Sequence, residues 1–368
     1  MEETVYLDRV LLLAVDHPAA YEVYPNERFV SAPPFPEFRV IASRDAHPPL
    51  GAWDDRGDDV LSLIAARDRK YLTSFEELPF AGFAKLHWLE LDLGAWDPSK
   101  PLRLIIDGYT DYFTATSMYA ANQAGVKVIA PYVEALDPQG KWVRVVDDMG
   151  FPAGLERTMV ADLTGKIPPG TRRMRIVNNL KIYWDAIRID QTLEMRETQV
   201  REVPLANAAL DFLGYPREIR LTPASDTQYS YTQRSTTGPY ARAAGNYTRY
   251  GDVYDLLRKS DDRFVVFSSG EGVKLDFDPR KLPAVPAGWV RDYFFYADGF
   301  EKDLDFYAAH AFTVEPLPRH SLRSYPYPAG AEYPADAEHL GYELEYNTRP
   351  RSDRLPADLR YHYPAPNR

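Results

Sequence analysis

Apolar and polar side chains alternate with a period of two along several stretches, which is the pattern of a strand with one buried face. In KLHWLELDL, Leu86 and Trp88 lie on one face, and Leu89 and Leu91 lie on the other. Turn sequences rich in proline and glycine, such as DPSKP, DPQG and IPPG, separate the strand-like runs. The pattern therefore predicts a mainly all-β chain with many short antiparallel strands and a few short helices.

The most regular stretch is MRIVNNLKIYWDAIRID, which begins at Met174. Met174 and Ile176 form the apolar set on the outgoing side, and Leu180 begins the apolar set on the return side. Placing both sets on one face of a hairpin requires a three-residue loop, 177–179. The sequence thus predicts a hairpin here, with Asn179 in the left-handed conformation that asparagine tolerates.

The apolar positions of the same stretch change parity at Asp185. Trp184 precedes this point in one phase, and Ile187 and Ile189 follow it in the other. A change of parity indicates a β-bulge or burial on both faces. We expect Trp184 to lie in the core, Asp185 to accept backbone hydrogen bonds, and Tyr183 to face a ligand.

Length and composition indicate the domain organisation. The chain has 368 residues, with 26 tyrosines, 31 prolines and 21 glycines, which suits two domains built from strands and turns. We predict two antiparallel β-sandwich or jelly-roll-like units, at residues 1–195 and 196–325. The proline- and tyrosine-rich segment 326–368 has almost no periodicity and predicts an extended C-terminal arm, with one helical turn near DAEHLGYELEY.

Charge and composition exclude several classes of protein. The formal charge of −11 argues against nucleic acid or an anionic membrane as the main partner, because both require a basic face. The absence of cysteine rules out disulfides, thiolate metal sites and cysteine nucleophiles. The apolar run VLLLAV is too short to span a bilayer and has no small-residue cleavage site, so it predicts a buried strand and not a signal peptide.

Catalytic motifs are missing from the sequence. The seven histidines show no HExxH motif and no pair at helical ligand spacing, which argues against a zinc hydrolase. Neither a GxSxG motif nor a phosphate-binding glycine loop occurs. Carboxylates are plentiful, and a glycosidase needs two of them across a cleft. The candidate carboxylates lie in loops and at strand ends: Asp107, Asp111, Asp147, Asp148, Asp185, Asp298, Asp303 and Asp305.

The segment ADGFEKDLDF concentrates three of these acids. Asp298, Asp303 and Asp305 are the candidate metal ligands, and calcium is the candidate cofactor, because calcium prefers oxygen ligands. The spacing is not that of an EF-hand. The alternative is that each aspartate only accepts backbone hydrogen bonds in a turn.

Aromatic residues are the other candidates for binding. Rings at a surface beside carboxylates are suited to holding a sugar, whereas interior packing explains rings in the apolar phase of a strand. In the first unit the candidate ligand-binding residues are those outside that phase: Tyr109, Tyr112, Trp142 and Tyr183. In the second unit they are Tyr231 and Tyr240, in a polar loop where the rings either line a groove or only hold the loop in place.

Five stretches carry a resemblance to a known group of proteins. The chain resembles the C-terminal region of large bacterial proteins with FG-GAP-type propeller repeats or tetratricopeptide repeats, although the repeats themselves are absent. The stretches are VDHPAAYEVYPNERFV, LKIYWDAIRID, DDRFVVFSSGEGVKLDFD, GWVRDYFFYADGFEKDLDF and PLPRHSLRSYPYP. The resemblance implies an extracytoplasmic, non-catalytic module, with repeat domains of a longer polypeptide or a multi-protein assembly as partners. LKIYWDAIRID also resembles the closing strand of galactose-binding-like jelly rolls.

The sequence thus leaves three functional hypotheses. The first is a non-catalytic binding or assembly module that recognises a glycan or a protein through loop aromatics and carboxylates. The second is a carbohydrate-active enzyme, similar to a glycoside hydrolase, that uses paired aspartates. The third is a purely structural scaffold.

Overall fold

Strands are the dominant regular element of the chain. The computed structural model describes residues 3–30, 35–111, 113–195, 198–219, 228–238, 240–322 and 326–352. The strands pair in several antiparallel sheets. The prediction of a mainly β chain is therefore confirmed.

The chain divides into two compact units. Unit 1 comprises Met1–Ala14, Arg201–Pro283 and Tyr293–Arg368, and unit 2 comprises Val15–Val200 and Ala284–Asp292. Three strands contribute residues to both units: β1 (Glu3–Pro18), β12 (Gln199–Val203) and β20 (Trp289–Asp303). The domain boundaries read from the sequence stay predictions.

Unit 2 contains the strands β2 to β11. Their bounds are β2 (Glu22–Pro25), β3 (Val40–Ser43), β4 (Gly51–Trp53), β5 (Phe83–Asp92), β6 (Arg103–Thr110), β7 (Tyr132–Leu136), β8 (Trp142–Val146), β9 (Arg157–Asp162), β10 (Arg173–Leu180) and β11 (Ile182–Asp190). The helices of this unit are α1 (Leu61–Ile64) and α2 (Ala115–Gln123). One sheet has the order β4-β5-β10-β7-β8, a second has the order β11-β6-β9, and β2 pairs with β3.

The core of unit 2 takes side chains from both larger sheets. Leu89 and Ile176 come from the five-stranded sheet, and Ile106, Trp184 and Ile187 come from the three-stranded sheet. All five are at most 3% exposed and belong to one hydrophobic cluster. Burial of this shared apolar surface stabilises the unit.

The hairpin predicted at residues 177–179 is wrong. Val177 and Asn178 continue β10 and pair with Trp88 and His87 of β5. Asn179 is buried, and its side chain accepts a hydrogen bond from the Ile129 backbone N–H at 2.7 Å. The chain then passes from one sheet to the other, because β10 pairs with β5 and β7 whereas β11 pairs with β6. The alternation identified the buried face of each strand, but it carried no information about the partner strand.

The bulge predicted at Asp185 is confirmed. The pairing of β11 with β6 shifts register between Trp184 and Ala186, so that Asp185 has no partner in the ladder. Trp184 is 2% exposed and lies in the core, as predicted. The extra residue restores the burial of Ile187 and Ile189 after the parity change.

Unit 1 contains shorter sheets around a separate core. Its other strands are β13 (Leu205–Phe212), β14 (Tyr215–Ile219), β15 (Gln228–Ser235), β16 (Gly245–Tyr247), β17 (Gly251–Asp252), β18 (Val265–Ser268), β19 (Glu271–Phe277) and β21 (Arg349–Arg351). The sheet orders are β12-β1-β18 with β20 paired to β1, then β17-β13-β19, β14-β15 and β16-β21. Tyr6, Tyr247 and Phe264 are fully buried in the core of this unit.

Helical elements are few in unit 1 as well. Two 3₁₀ turns lie at Tyr254–Leu257 and Pro279–Lys281, and α3 covers Ala337–Tyr346. The segment predicted as an extended arm therefore includes a helix of 10 residues, which begins at the capping residue Asp336. Residues 353–368 lie outside the described part of the chain.

Candidate functional site: an aromatic cluster on unit 2

Two tyrosines on neighbouring strands form the centre of the candidate site. Tyr183 of β11 lies directly opposite Tyr109 of β6. Their rings are stacked, with centroids 4.6 Å apart and planes inclined by 11°. Ile182 and Trp184, on either side of Tyr183, point into the core. The tyrosine pair therefore lies on the half-buried outer face of the three-stranded sheet.

A segment that follows α1 adds two more rings. Tyr71 contacts Tyr109 edge to face, with a distance of 5.0 Å between the ring centroids. Phe75 contacts Tyr183 in a similar manner at 5.3 Å. The segment is tied to β11 because the Leu72 N–H donates to the Trp184 carbonyl at 2.9 Å. We call Tyr71, Phe75, Tyr109 and Tyr183 the aromatic cluster.

Asp185 also holds the segment that carries Tyr71 and Phe75, through hydrogen bonds to its backbone. Its Oδ1 accepts hydrogen bonds from the backbone N–H groups of Asp68 at 3.2 Å and Arg69 at 2.7 Å. Arg69, the second of these two residues, has a left-handed backbone with a positive φ of 63°. The predicted role of Asp185 as a backbone acceptor at the bulge is confirmed. Its Oδ2 is buried without a hydrogen-bond partner in the described part of the chain.

Burial is the main influence on the pKa of Asp185. The side chain is wholly buried, and desolvation raises its pKa above the usual value. The two backbone hydrogen bonds oppose this rise, whereas the nearby carboxylates of Glu156 and Asp68 add to it. Asp185 therefore supports the loop and does not reach the surface.

A lysine and two acids border the cluster beside Tyr183. Lys181 Nζ lies 2.8 Å from Asp111 Oδ2 and 3.3 Å from Glu77 Oε2. Burial alone would lower the pKa of Lys181, but the hydrogen bond and the charge of Asp111 outweigh it and raise the pKa. Lys181 thus stays charged and presents donors beside acceptor carboxylates.

A second group of polar residues borders the cluster beside Tyr71. Burial, together with the nearby carboxylate of Glu156, raises the pKa of Tyr71 to about 12. Glu156 also lies 3.3 Å from the guanidinium of Arg69, which is largely exposed. Charged hydrogen-bonding groups therefore flank the rings on two sides.

The remaining candidate rings of unit 2 do not join this cluster. Tyr112 lies outside the described residues. Trp142 is on β8 in the other sheet, where the guanidinium of Arg175 lies over its ring at 4.6 Å and over Trp88 at 4.8 Å. Arg175 is also paired with Glu134. Trp142 is thus engaged in a cation–π arrangement on the five-stranded sheet.

The two candidate rings of unit 1 have different neighbours. Tyr231 is 65% exposed on β15, with its ring 6.5 Å from that of Tyr229. Tyr240 stacks on Tyr215 at 5.3 Å and donates to Glu218 at 2.5 Å. Tyr240 lines an open cavity of about 470 Å³, and Tyr231 does not.

The three predicted metal ligands are not brought together. Asp298 lies 3.1 Å from Nε2 of His320. Asp303 contributes to the rise in the pKa of Glu301, behind the effect of burial. Asp305 accepts the Tyr307 backbone N–H at 3.0 Å. The calcium site stays a prediction that the geometry of these three residues does not support.

Sequence reasoning missed half of the aromatic cluster. Tyr71 and Phe75 lie in RDRKYLTSFEELPF, which has no strand or helix periodicity, and their contacts depend on the fold of the whole unit. The signal that was present is two rings four residues apart in an otherwise polar segment. Glu156 lies in a loop 85 residues from Tyr71, and no local pattern links them.

Two comparisons with known proteins gave no match. No protein-family model matches the chain, and no curated protein matches it significantly. The resemblance to bacterial repeat-associated proteins stays a prediction. Among the described residues, no helix has the length and apolar composition needed to cross a bilayer.

Proposed function

We propose that the chain is a non-catalytic binding module that binds a glycan at the aromatic cluster of unit 2. The observation that carries the proposal is the stacked pair of Tyr109 and Tyr183 on the outer face of a sheet. Aromatic rings pack against the apolar C–H faces of sugar rings. An extracytoplasmic location, expected from the resemblance, is part of the same proposal.

The polar borders of the cluster match the hydroxyl groups of such a ligand. Carboxylates accept hydrogen bonds and the Lys181 ammonium donates them, so a hydroxyl finds both kinds of partner. Hydrogen bonds to charged groups are also stronger than neutral ones. A protein partner is less suited to this surface, because the cores of protein interfaces are depleted in charged residues.

The geometry favours binding over hydrolysis. A glycosidase needs a carboxylic acid with a raised pKa that touches the glycosidic oxygen, and a second carboxylate across the bond. Asp185 has a raised pKa but is wholly buried. The accessible Asp111 is paired with Lys181, and Asp107 is buried against Arg188 at 2.8 Å. None of these three acids is both accessible and poised to donate a proton.

A glycan array tests the proposal directly. The full chain is applied to an array of bacterial, plant and animal oligosaccharides, together with Tyr183→Ala and Tyr109→Ala. We expect the wild-type chain to bind a defined subset of glycans and each variant to lose at least about tenfold in affinity, because one ring of the stacked pair is missing. Tyr183→Phe, which keeps the ring, should retain most of the binding.

The matched control is Tyr231→Ala, which removes an exposed tyrosine from unit 1. This variant should bind like the wild type. Binding by the wild type that both Tyr183→Ala and Tyr109→Ala retain would place the site elsewhere, and no binding to any glycan would overturn the proposal. Release of reducing sugar from a bound oligosaccharide would instead support the hydrolase alternative.

A further inference from the structure

A histidine and three aspartates from distant parts of the sequence converge in unit 1. Nδ1 of His320 lies 2.7 Å from Asp262 Oδ1 and 3.4 Å from Asp8 Oδ2. Asp8, Asp262 and His320 each offer one atom that could bind a metal ion, and these three atoms lie within 4.8 Å of one another. The fourth residue, Asp298, lies on the other side of the imidazole, 3.1 Å from Nε2.

Asp8 occupies a position where its strand otherwise places apolar side chains. Tyr6, Asp8 and Val10 are successive inward positions of β1, and all three are at most 2% exposed. Burial of a carboxylate in the apolar phase of a strand is unfavourable unless hydrogen bonds or a cation compensate for its charge.

The described neighbours of Asp8 compensate for its charge only in part. The backbone N–H groups of Asp261 and Asp262 donate to its carboxylate at 3.1 Å. No described side chain donates a hydrogen bond to Asp8, because Nδ1 of His320 is directed to Asp262. Three carboxylates, those of Asp8, Asp262 and Asp298, therefore lie around a single imidazole, an arrangement that a bound cation would stabilise.

The surroundings of His320 resemble the outer layer of a metal site. In metal sites a ligating histidine donates its second ring N–H to a carboxylate, which fixes its orientation. Asp298 is placed to accept from Nε2 of His320, and the Ser260 hydroxyl donates to the other oxygen of Asp298. The Tyr333 hydroxyl donates to the Asp262 carbonyl and steadies the loop.

We propose that Asp8, Asp262 and Nδ1 of His320 bind a divalent cation of the zinc type, with Asp298 as the carboxylate that orients His320. One imidazole and two carboxylates form a donor set that Zn²⁺ accepts, whereas Ca²⁺ prefers six to eight oxygen atoms. The side chain of His320 is 39% exposed, which leaves an open side for ion entry and for a water ligand.

Zn²⁺ titration of the full chain tests the proposal. After treatment with a chelator and dialysis, isothermal titration should show one Zn²⁺ per chain, and Ca²⁺ should not compete. Asp8→Asn and His320→Gln should each weaken binding at least tenfold, and Asp298→Asn should weaken it about 10- to 100-fold through loss of orientation. Asp8→Asn keeps an acceptor oxygen for the two backbone N–H groups, so the fold should persist, which circular dichroism checks.

His339→Gln is the matched control. His339 is paired with Asp336 at 2.8 Å on α3 but has no third ligand in the described chain. This variant should bind Zn²⁺ like the wild type. Equal loss in His339→Gln, unchanged binding in both Asp8→Asn and His320→Gln, or no stoichiometric binding by the wild type would each overturn the proposal.

A second measurement does not depend on any variant. Diethyl pyrocarbonate should modify His320 in the chelator-treated chain, and Zn²⁺ should protect it, as mass spectrometry of the peptides would show. Modification of His320 at the same rate with and without saturating Zn²⁺ would contradict the proposed ligand.

Discussion

Asp8 in unit 1 and Asp185 in unit 2 are held by the same local device. Each carboxylate is wholly buried and accepts hydrogen bonds from the backbone N–H groups of two consecutive residues. In each pair the second residue has a left-handed backbone, with φ of 64° at Asp262 and 63° at Arg69. Consecutive N–H groups in this conformation form a concave site for an anion.

The two sites differ in what surrounds the rest of the carboxylate. Oδ2 of Asp8 lies 3.4 Å from the imidazole of His320, which is itself partly exposed. Oδ2 of Asp185 has no described hydrogen-bond partner, and the negative charge of Glu156 adds to the rise in the pKa of Asp185 that burial causes. The comparison indicates that one motif serves two purposes: it pins a loop beside the aromatic cluster in unit 2, and it presents a ligand group in unit 1.

Removing the carboxylate of Asp185 should have the largest effect. Asp185→Ala leaves two buried N–H groups without an acceptor and should lower the free energy of unfolding of unit 2 by about 3 to 4 kcal/mol. Asp185→Asn keeps one acceptor oxygen and should cost about 1 kcal/mol or less. Urea unfolding followed by tryptophan fluorescence measures this, because all six tryptophans lie in unit 2. Equal losses in the two variants would show that the N–H groups do not need Asp185.

The pH dependence of stability should distinguish Asp8 from its asparagine variant. Desolvation by burial raises the pKa of Asp8 from 3.8 to about 6, against the pull of the two backbone hydrogen bonds. Between these values the folded chain keeps a proton that the unfolded chain has lost, so the stabilisation is complete below pH 3.8 and is lost as the pH rises to 6. The wild type should lose up to about 3 kcal/mol relative to Asp8→Asn across this interval.

Urea unfolding at pH 4 and pH 7, followed by circular dichroism in the presence of a chelator, measures this difference. A parallel pH dependence in the wild type and in Asp8→Asn would mean that Asp8 titrates normally. The pKa of Asp185 is raised for the same leading reason, so Asp185→Asn should show a difference of the same sign.

The smallest effect is expected at Arg69, whose left-handed backbone carries a largely exposed side chain. Arg69→Gly relieves the positive φ, at the loss of an exposed ion pair with Glu156. We expect a net gain of about 0.5 kcal/mol in the free energy of unfolding. Asp262→Gly relieves the same strain but removes a carboxylate that contacts His320, so it should not stabilise unit 1. Stabilisation by both glycines in urea unfolding would indicate that the Asp262 side chain contributes nothing.

Local alternation predicted the class of fold and the buried faces of β10 and β11. The parity change at Asp185 was sufficient to predict the bulge, because a bulge is a local property of one strand. The hairpin failed at Asn178 and Asn179 because strand pairing is a property of two distant segments. Trp88 and His87 of β5 pair with Val177 and Asn178, and no spacing in the sequence encodes this choice.

The candidate sites show the same limit. Tyr183 was predicted to face a ligand from its phase in β11, but its pairing with Tyr109 and its contact with Phe75 depend on register and loop placement. The cluster around His320 was missed because its residues are separated by up to 312 positions, from Asp8 to His320. The signal that was available is the acid in the buried phase of VYLDRV.

The most direct test of the central claim is to locate a bound glycan on the surface of unit 2. Ring signals of isotopically labelled tyrosine are recorded by NMR during titration with the strongest oligosaccharide from the array, and Tyr→Phe variants assign them. We expect saturable shifts at Tyr71, Tyr109 and Tyr183, with none at Tyr231. Shifts confined to Tyr231 and Tyr240, or an unchanged spectrum at saturation, would contradict it.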